Sequence, residues 1–167
     1  NRRQKMKPNK KNAKTAGSLY QGESPMEFVL DGYCGVYCGA CPVMLATRAG
    51  ELGEVQQCYG CKSKKPTGYC ATCGIKACAE RKGYEFCNLC NEFKTCELMQ
   101  KFVSDTQYPY GQCVLKNMEV IEVIGLRQWR EMQDKRWRCK NCGTSYSWYR
   151  QTCPQCGQAV ANYKADL

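Results

Sequence analysis

Six times in this chain two cysteines stand three positions apart: Cys38/Cys41, Cys58/Cys61, Cys70/Cys73, Cys87/Cys90, Cys139/Cys142 and Cys153/Cys156. A C-x2-C turn brings two sulfurs to the same side of a tight loop, where both can reach one ion. Structural disulfides usually join segments distant in sequence, so these pairs read as metal ligands in a reducing compartment. The chain holds 16 cysteines and no histidine among its 167 residues. A zinc site must therefore be built from four thiolates or borrow a carboxylate. Sixteen cysteines divide into four sets of four, which sets an upper bound of four zinc ions.

The same arithmetic changes the meaning of the charge. The formal net charge is +10, which by itself points to nucleic acid. Residues 1–25, "NRRQKMKPNKKNAKTAGSLYQGESP", hold seven Lys/Arg and one Glu, so they supply +6 and the remainder +4. A zinc ion held by four thiolates carries about −2, because every ligand is deprotonated. Four such sites would make the body acidic and leave the basic character in the tail. That tail is polar, lacks the apolar run of a signal peptide, and is expected to be disordered. Met26 reads as a natural start, with the preceding residues a vector-derived or over-extended addition. No stretch has the apolar length of a membrane span. The expected setting is cytoplasmic, without membrane contact.

The composition shifts along the chain and predicts four parts: the tail 1–25, a Cys-rich metal-binding domain 26–112, a helical segment 113–136 and a zinc ribbon 137–160. Residues 32–96 contain eleven cysteines and few large aliphatic residues. Such a thin core needs metal to hold it. Helices are expected at Pro42–Ala49, with Pro at its first position and Gly50 at its end, and at Ile75–Lys82, stopped by Gly83. A longer helix is expected over Glu92–Asp105, with Phe93, Leu98, Met99 and Phe102 turned inward. Leu115, Met118, Ile121, Ile124, Trp129 and Met132 recur at helical spacing across 113–135, interrupted by Gly125. That stripe reads as core. The segment "TSYSWYR" is β-prone. The fold class expected is a small metal-stabilised α+β protein, with short helices, a helical linker and a C-terminal ribbon.

The metal sites follow from spacing. Cys139, Cys142, Cys153 and Cys156 have the layout of a zinc ribbon, two knuckles converging on one ion, with Gly143 and Gly157 turning the backbone behind each pair. Cys58, Cys61, Cys70 and Cys73 repeat that logic with a shorter loop. Cys78, Cys87, Cys90 and Cys96 form a third set, although pairs alternating between sites would satisfy the spacing equally. Cys34, Cys38 and Cys41, in "CGVYCGACP", have the spacing that holds three irons of a [4Fe–4S] cluster, and "CP" also closes ferredoxin motifs. The trio reads either as a zinc site completed by a remote thiolate or as one iron–sulfur centre. Cys113 is the remaining thiol by elimination.

The segments "DGYCGVYCGACPVMLATRAG", "CYGCKS", "CATCGIKACAERKGYEFCNLCNEFKTCELMQKF" and "NMEVIEVIGLRQWREMQDKRWRCKNCGTSYSWYRQTCPQCG" resemble an uncharacterised family of Cys-rich prokaryotic proteins, a domain of unknown function often followed by a zinc ribbon. The resemblance spans about residues 30–158. This chain has Lys94-Thr95-Cys96 where the family pattern reads Tyr/Phe-Pro-Cys, and Cys113 is not part of that pattern. The resemblance implies a cytosolic protein of largely anaerobic distribution and supplies no activity.

Catalysis has little to work with. There is no histidine for proton transfer and no phosphate-cradling glycine loop. Glu92, Glu97 and Asp105 fall on a face expected to be solvated. The expected role is a metal-built interaction or scaffold module with a protein partner. An iron–sulfur accessory or electron-transfer protein is the first alternative. Weak nucleic-acid binding through the ribbon is the second, with Tyr146, Trp148, Tyr149 and Arg150 stacking on bases and meeting phosphate.

Overall fold

The computed structural model describes residues 26–167, so the basic tail lies outside the described residues. Among the described residues the chain forms five α-helices: α1 (Pro42–Arg48), α2 (Gly74–Lys82), α3 (Glu97–Val103), α4 (Val114–Ile124) and α5 (Leu126–Arg136). Two 3-10 turns lie between α1 and α2, two between α2 and α3 and one between α3 and α4, while α4 and α5 meet at Gly125. No helix among these is long and apolar enough to cross a membrane.

The helices of the Cys-rich segment share one local plan. A 3-10 turn runs into a cysteine with extended backbone, and an α-helix starts at the next residue. Cys38–Ala40 leads to Cys41 (φ −66°, ψ 130°) and α1. Gly68–Ala71 leads through Thr72 to Cys73 (φ −66°, ψ 118°) and α2. Phe93–Thr95 leads to Cys96 (φ −66°, ψ 113°) and α3. Pro42 opens α1, where its missing N–H costs nothing. Gly83 ends α2 in the left-handed conformation, φ 71°.

This plan corrects the long helix expected over residues 92–105. Cys96 is extended, so the helical run breaks into a turn and the seven-residue α3. Met99 is buried and Phe93 and Phe102 are partly buried, but Leu98 faces solvent. The helical stripe over 113–135 divides at Gly125 into α4 and α5. Met118, Ile121 and Trp129 point into the core, while Met132 is exposed.

The expected α+β class is corrected to a predominantly helical one. Among the described residues the β content is three isolated bridges: Asp31 with Tyr37, Arg138 with Ser145, and Thr152 with Ala159. The last two each close one cysteine knuckle of the C-terminal segment. The intervening "TSYSWYR" has β-prone side chains, but its aromatic rings pack on the helices and its backbone forms turns instead of a ladder.

One aromatic-rich cluster joins both ends of the chain. Tyr37, Ala40 and Phe86 from the Cys-rich segment meet Met118 and Trp129 from α4 and α5, and Trp137, Tyr146 and Trp148 from the C-terminal segment. Trp148 stacks flat on Tyr110, centroids 4.1 Å apart and 1° between planes. Buried Asn117 on α4 donates from Nδ2 to the carbonyl of Gly35 at 2.9 Å, tying the helix to the "CGVYC" loop. Buried Asp31 accepts from Lys62 Nζ at 2.7 Å and from Arg130 Nε at 2.8 Å, with a further contact from Arg130 Nη2. Arg136 closes the far end by donating to Asp166, Tyr146, Ala161 and Asn162.

Candidate metal centres

All sixteen cysteines are free thiols, and all but Cys113 gather into three groups. The tightest is the C-terminal set. Sγ of Cys139, Cys142, Cys153 and Cys156 all lie within 4.8 Å of one another. The Cys139–Cys156 sulfurs are 3.7 Å apart and the Cys142–Cys153 sulfurs 3.5 Å. Four thiolates around one zinc at ~2.3 Å mark out a tetrahedron of edge about 3.8 Å. The observed separations match that edge.

The knuckles that aim these sulfurs are built as the glycines require. Gly143 donates to Cys139 O at 2.8 Å and Gly157 to Cys153 O at 3.1 Å, both with positive φ (75° and 70°). Cys139 and Cys153 are buried, and Cys142 and Cys156 stand at the surface. The surface pair is biased toward thiolate. The Asn141 side chain and the backbone N–H of Gln158 bring Cys156 down to about 6, and Thr144 lowers Cys142. Four protein sulfurs fill every corner of the tetrahedron, which leaves a bound ion no open position for substrate.

The second group is larger. Cys34, Cys38, Cys41, Cys58, Cys61, Cys70 and Cys73 line one cavity of about 350 Å3. Its other walls are almost wholly apolar, with Tyr69, Tyr110, Trp148 and Tyr149 among them. Three segments of the chain deliver these thiols. The trio comes from the loop entering α1. Cys58 is held by α1 itself, its N–H bonded to Thr47 Oγ1 at 2.9 Å. The Cys58–Cys61 turn packs against the backbone at Val29 so closely that a Cβ on Gly60 would lie 2.0 Å from the Val29 carbonyl oxygen. Only glycine fits there.

Burial holds Cys34 and Cys38 well above the ordinary thiol range and raises Cys41 as well. Cys61 and Cys70 share a hydrogen bond, which lowers Cys61 to about 7, helped by Lys76 and Lys62, while Cys70 keeps its proton. In so dry a cavity the deep thiols ionise only against a cation at close quarters. One further group lacks a partner there: the buried indole N–H of Trp148 makes no hydrogen bond to the protein.

Cys113 is not in that lining. Its thiol donates to the carbonyl of Tyr163 at 3.8 Å, and burial raises it to about 11. Elimination pointed to Cys113 because sequence order does not reveal that Cys58, Cys61, Cys70 and Cys73 share a cavity with the trio.

The third group is the set Cys78, Cys87, Cys90 and Cys96, which lines a separate cavity of about 290 Å3. Cys78 comes from α2, Cys87 and Cys90 from the following turn, and Cys96 from the start of α3. The turn hangs on the first motif, because Cys87 N donates to Tyr33 O at 2.9 Å. Glu92 is exposed and paired with Lys82 at 2.6 Å, and Glu97 is exposed as well.

The aromatic residues considered for base stacking are mostly spent inside the fold. Tyr146 and Trp148 are 4% and 8% exposed, whereas Tyr149 and Arg150 reach solvent. No curated protein and no solved structure matches the chain. A family model described as "Protein of unknown function (DUF3795)" matches residues 30–101, which hold all eleven cysteines of the second and third groups and end short of α4, α5 and the C-terminal four. Residues 30–101 are thus similar to this uncharacterised domain family, and the C-terminal four-cysteine set lies outside the match.

Proposed function

We propose that this protein is a metal-assembled scaffold module whose C-terminal segment is a zinc ribbon with a structural ion. One observation carries the reading: four sulfurs converge within 4.8 Å, with separations that match the edge of a zinc–thiolate tetrahedron. A site closed by four protein ligands contributes folding energy and has no position left for chemistry. The ion draws together the two knuckles behind Trp137, Tyr146 and Trp148, so its binding energy is delivered directly to the shared aromatic core. Sixteen free thiols fit a reducing, cytoplasmic setting.

The test is elemental analysis of the full chain purified without oxygen. Cys153→Ser should remove about one zinc per chain relative to the parent protein. A parent ribbon that carries iron, seen as visible absorption lost in Cys153→Ser, would refute the structural-zinc assignment.

A second reading applies upstream, and a different observation favours it. Cys34, Cys38 and Cys41 line a roomy apolar cavity in company with four more thiols, and one of its wall residues, Trp148, has an unpaired buried indole N–H. Apolar walls, several thiolates and an N–H donor for sulfur are what an iron–sulfur cluster takes from a protein. The trio with one of the four other thiols would hold such a cluster. Its test is the iron and sulfide content of the chain and their loss in Cys38→Ala.

A further inference from the structure

The cavity between α2 and α3 differs from the ribbon in a way that identifies what it can hold. Both have four cysteines. In the ribbon the sulfurs meet at a point. Among the described residues no other thiol set has all its sulfurs within 4.8 Å. Cys78, Cys87, Cys90 and Cys96, all partly exposed, instead stand around a half-open space of about 290 Å3. A single zinc ion demands sulfur–sulfur edges of about 3.8 Å. A cluster with one thiolate on each iron demands a wider ring, with its inorganic core filling the centre.

From these four thiols and the space between them, we infer that Cys78, Cys87, Cys90 and Cys96 hold a second iron–sulfur cluster of the [4Fe–4S] type. The remaining wall suits it. Ile75, Ala79 and Phe93 supply an apolar lining. Lys82 lies one helical turn beyond Cys78, with Nζ 3.6 Å from Cys90 Sγ. A cluster bearing four thiolates is a net anion, and this ammonium offsets it. Of the two carboxylates in the lining, Glu92 and Glu97, Glu92 stands 4.0 Å from Cys90 Sγ and is committed to Lys82.

The position of the site adds a consequence. Ile75 lines both this cavity and the seven-thiol cavity. The two sites therefore share a wall residue. The site stands on its own four thiols; only this adjacency rests on the iron–sulfur reading of the trio.

The experiment uses the full chain, reconstituted anaerobically with ferrous iron and sulfide in the presence of zinc. The parent protein should bind about eight irons and about eight sulfides beside the ribbon zinc. Its reduced form should show an electron paramagnetic resonance spectrum broadened by coupling between neighbouring spins. Cys90→Ala and Cys96→Ala should each lose about half the iron and sharpen that spectrum, with the zinc retained. Cys38→Ala should lose the other half. About four irons in the parent, unchanged by Cys90→Ala, would overturn the proposal and leave the trio's cluster standing. About four irons lost in Cys90→Ala but not in Cys38→Ala would uphold it and remove the trio's cluster instead. Zinc in both cavities would overturn both assignments. About eight irons in the parent uphold the proposal, and none overturns it, without any variant; at about four, Cys90→Ser, which keeps the size of the side chain, decides it if Cys90→Ala does not fold.

Discussion

Trp148→Ala tests whether the C-terminal segment folds as an attachment or as part of the whole. Trp148 is 8% exposed and stacks on Tyr110 at 4.1 Å with near-parallel rings. Truncating a buried tryptophan costs about 3–5 kcal/mol. The aromatic pair accounts for about 0.5–1.5 kcal/mol of that loss. No hydrogen bond to the protein goes with it, since the indole N–H has no partner. We expect a loss of about 4 kcal/mol. For a chain of this size that corresponds to a fall in Tm of about 8–16 °C. The assay is thermal unfolding of metal-loaded protein by circular dichroism, with amide spectra recorded below the transition. Shifts should extend to Tyr110, Tyr37 and Ala40, because they share one cluster with Trp148. Trp148→Phe, which keeps an aromatic ring over Tyr110, should recover much of the loss. A fall of less than about 3 °C, or changes confined to residues 137–160, would refute the shared core.

Two further predictions rest on charge. Asp31→Asn removes the carboxylate that Lys62 and Arg130 both contact. Breaking a buried pair costs about 3–5 kcal/mol, and the partial exposure of Arg130 brings the expected cost to about 2–4 kcal/mol. Denaturant unfolding measures it, and a change under about 1 kcal/mol would show that solvent replaces the carboxylate readily. Lys82→Gln removes the cation beside Cys90 and leaves Glu92 unpaired nearby. Metal content should hold while the midpoint potential of the proposed second cluster falls, because the reduced and more negative state loses its neighbour. An unchanged potential in a redox titration would refute that role for Lys82.

Local chemistry was legible in the sequence, and long-range convergence was not. Each C-x2-C pair with its glycine specifies a knuckle within five residues. The convergence of Cys139, Cys142, Cys153 and Cys156 could therefore be read from spacing, whereas spacing left the grouping of Cys78, Cys87, Cys90 and Cys96 open to pairs alternating between sites. Tyr146 and Trp148, considered for base stacking, are instead both buried in the aromatic core. The helix expected over 92–105 followed apolar periodicity straight through Cys96. The extended backbone that lets Cys96 reach the cavity overrides that periodicity. The partners of the trio lie on separate segments brought together by α1 and α2, which no spacing encodes.

The three helices of the Cys-rich segment each begin one residue after a cysteine that lines a thiol-rich cavity. They are seven to nine residues long, below the length at which a helix in water outlives the cost of its first turn. Pinning Cys41, Cys73 and Cys96 to an inorganic centre would fix that first turn in advance. Metal supply then acts as the nucleating event of folding. A newly made chain waiting for its metal would hold α4 and α5 beside a Cys-rich stretch with no structured helix starts. In a cell short of iron or zinc, that stretch is where a protease would first engage, so the protein's abundance would follow metal delivery without any dedicated sensor.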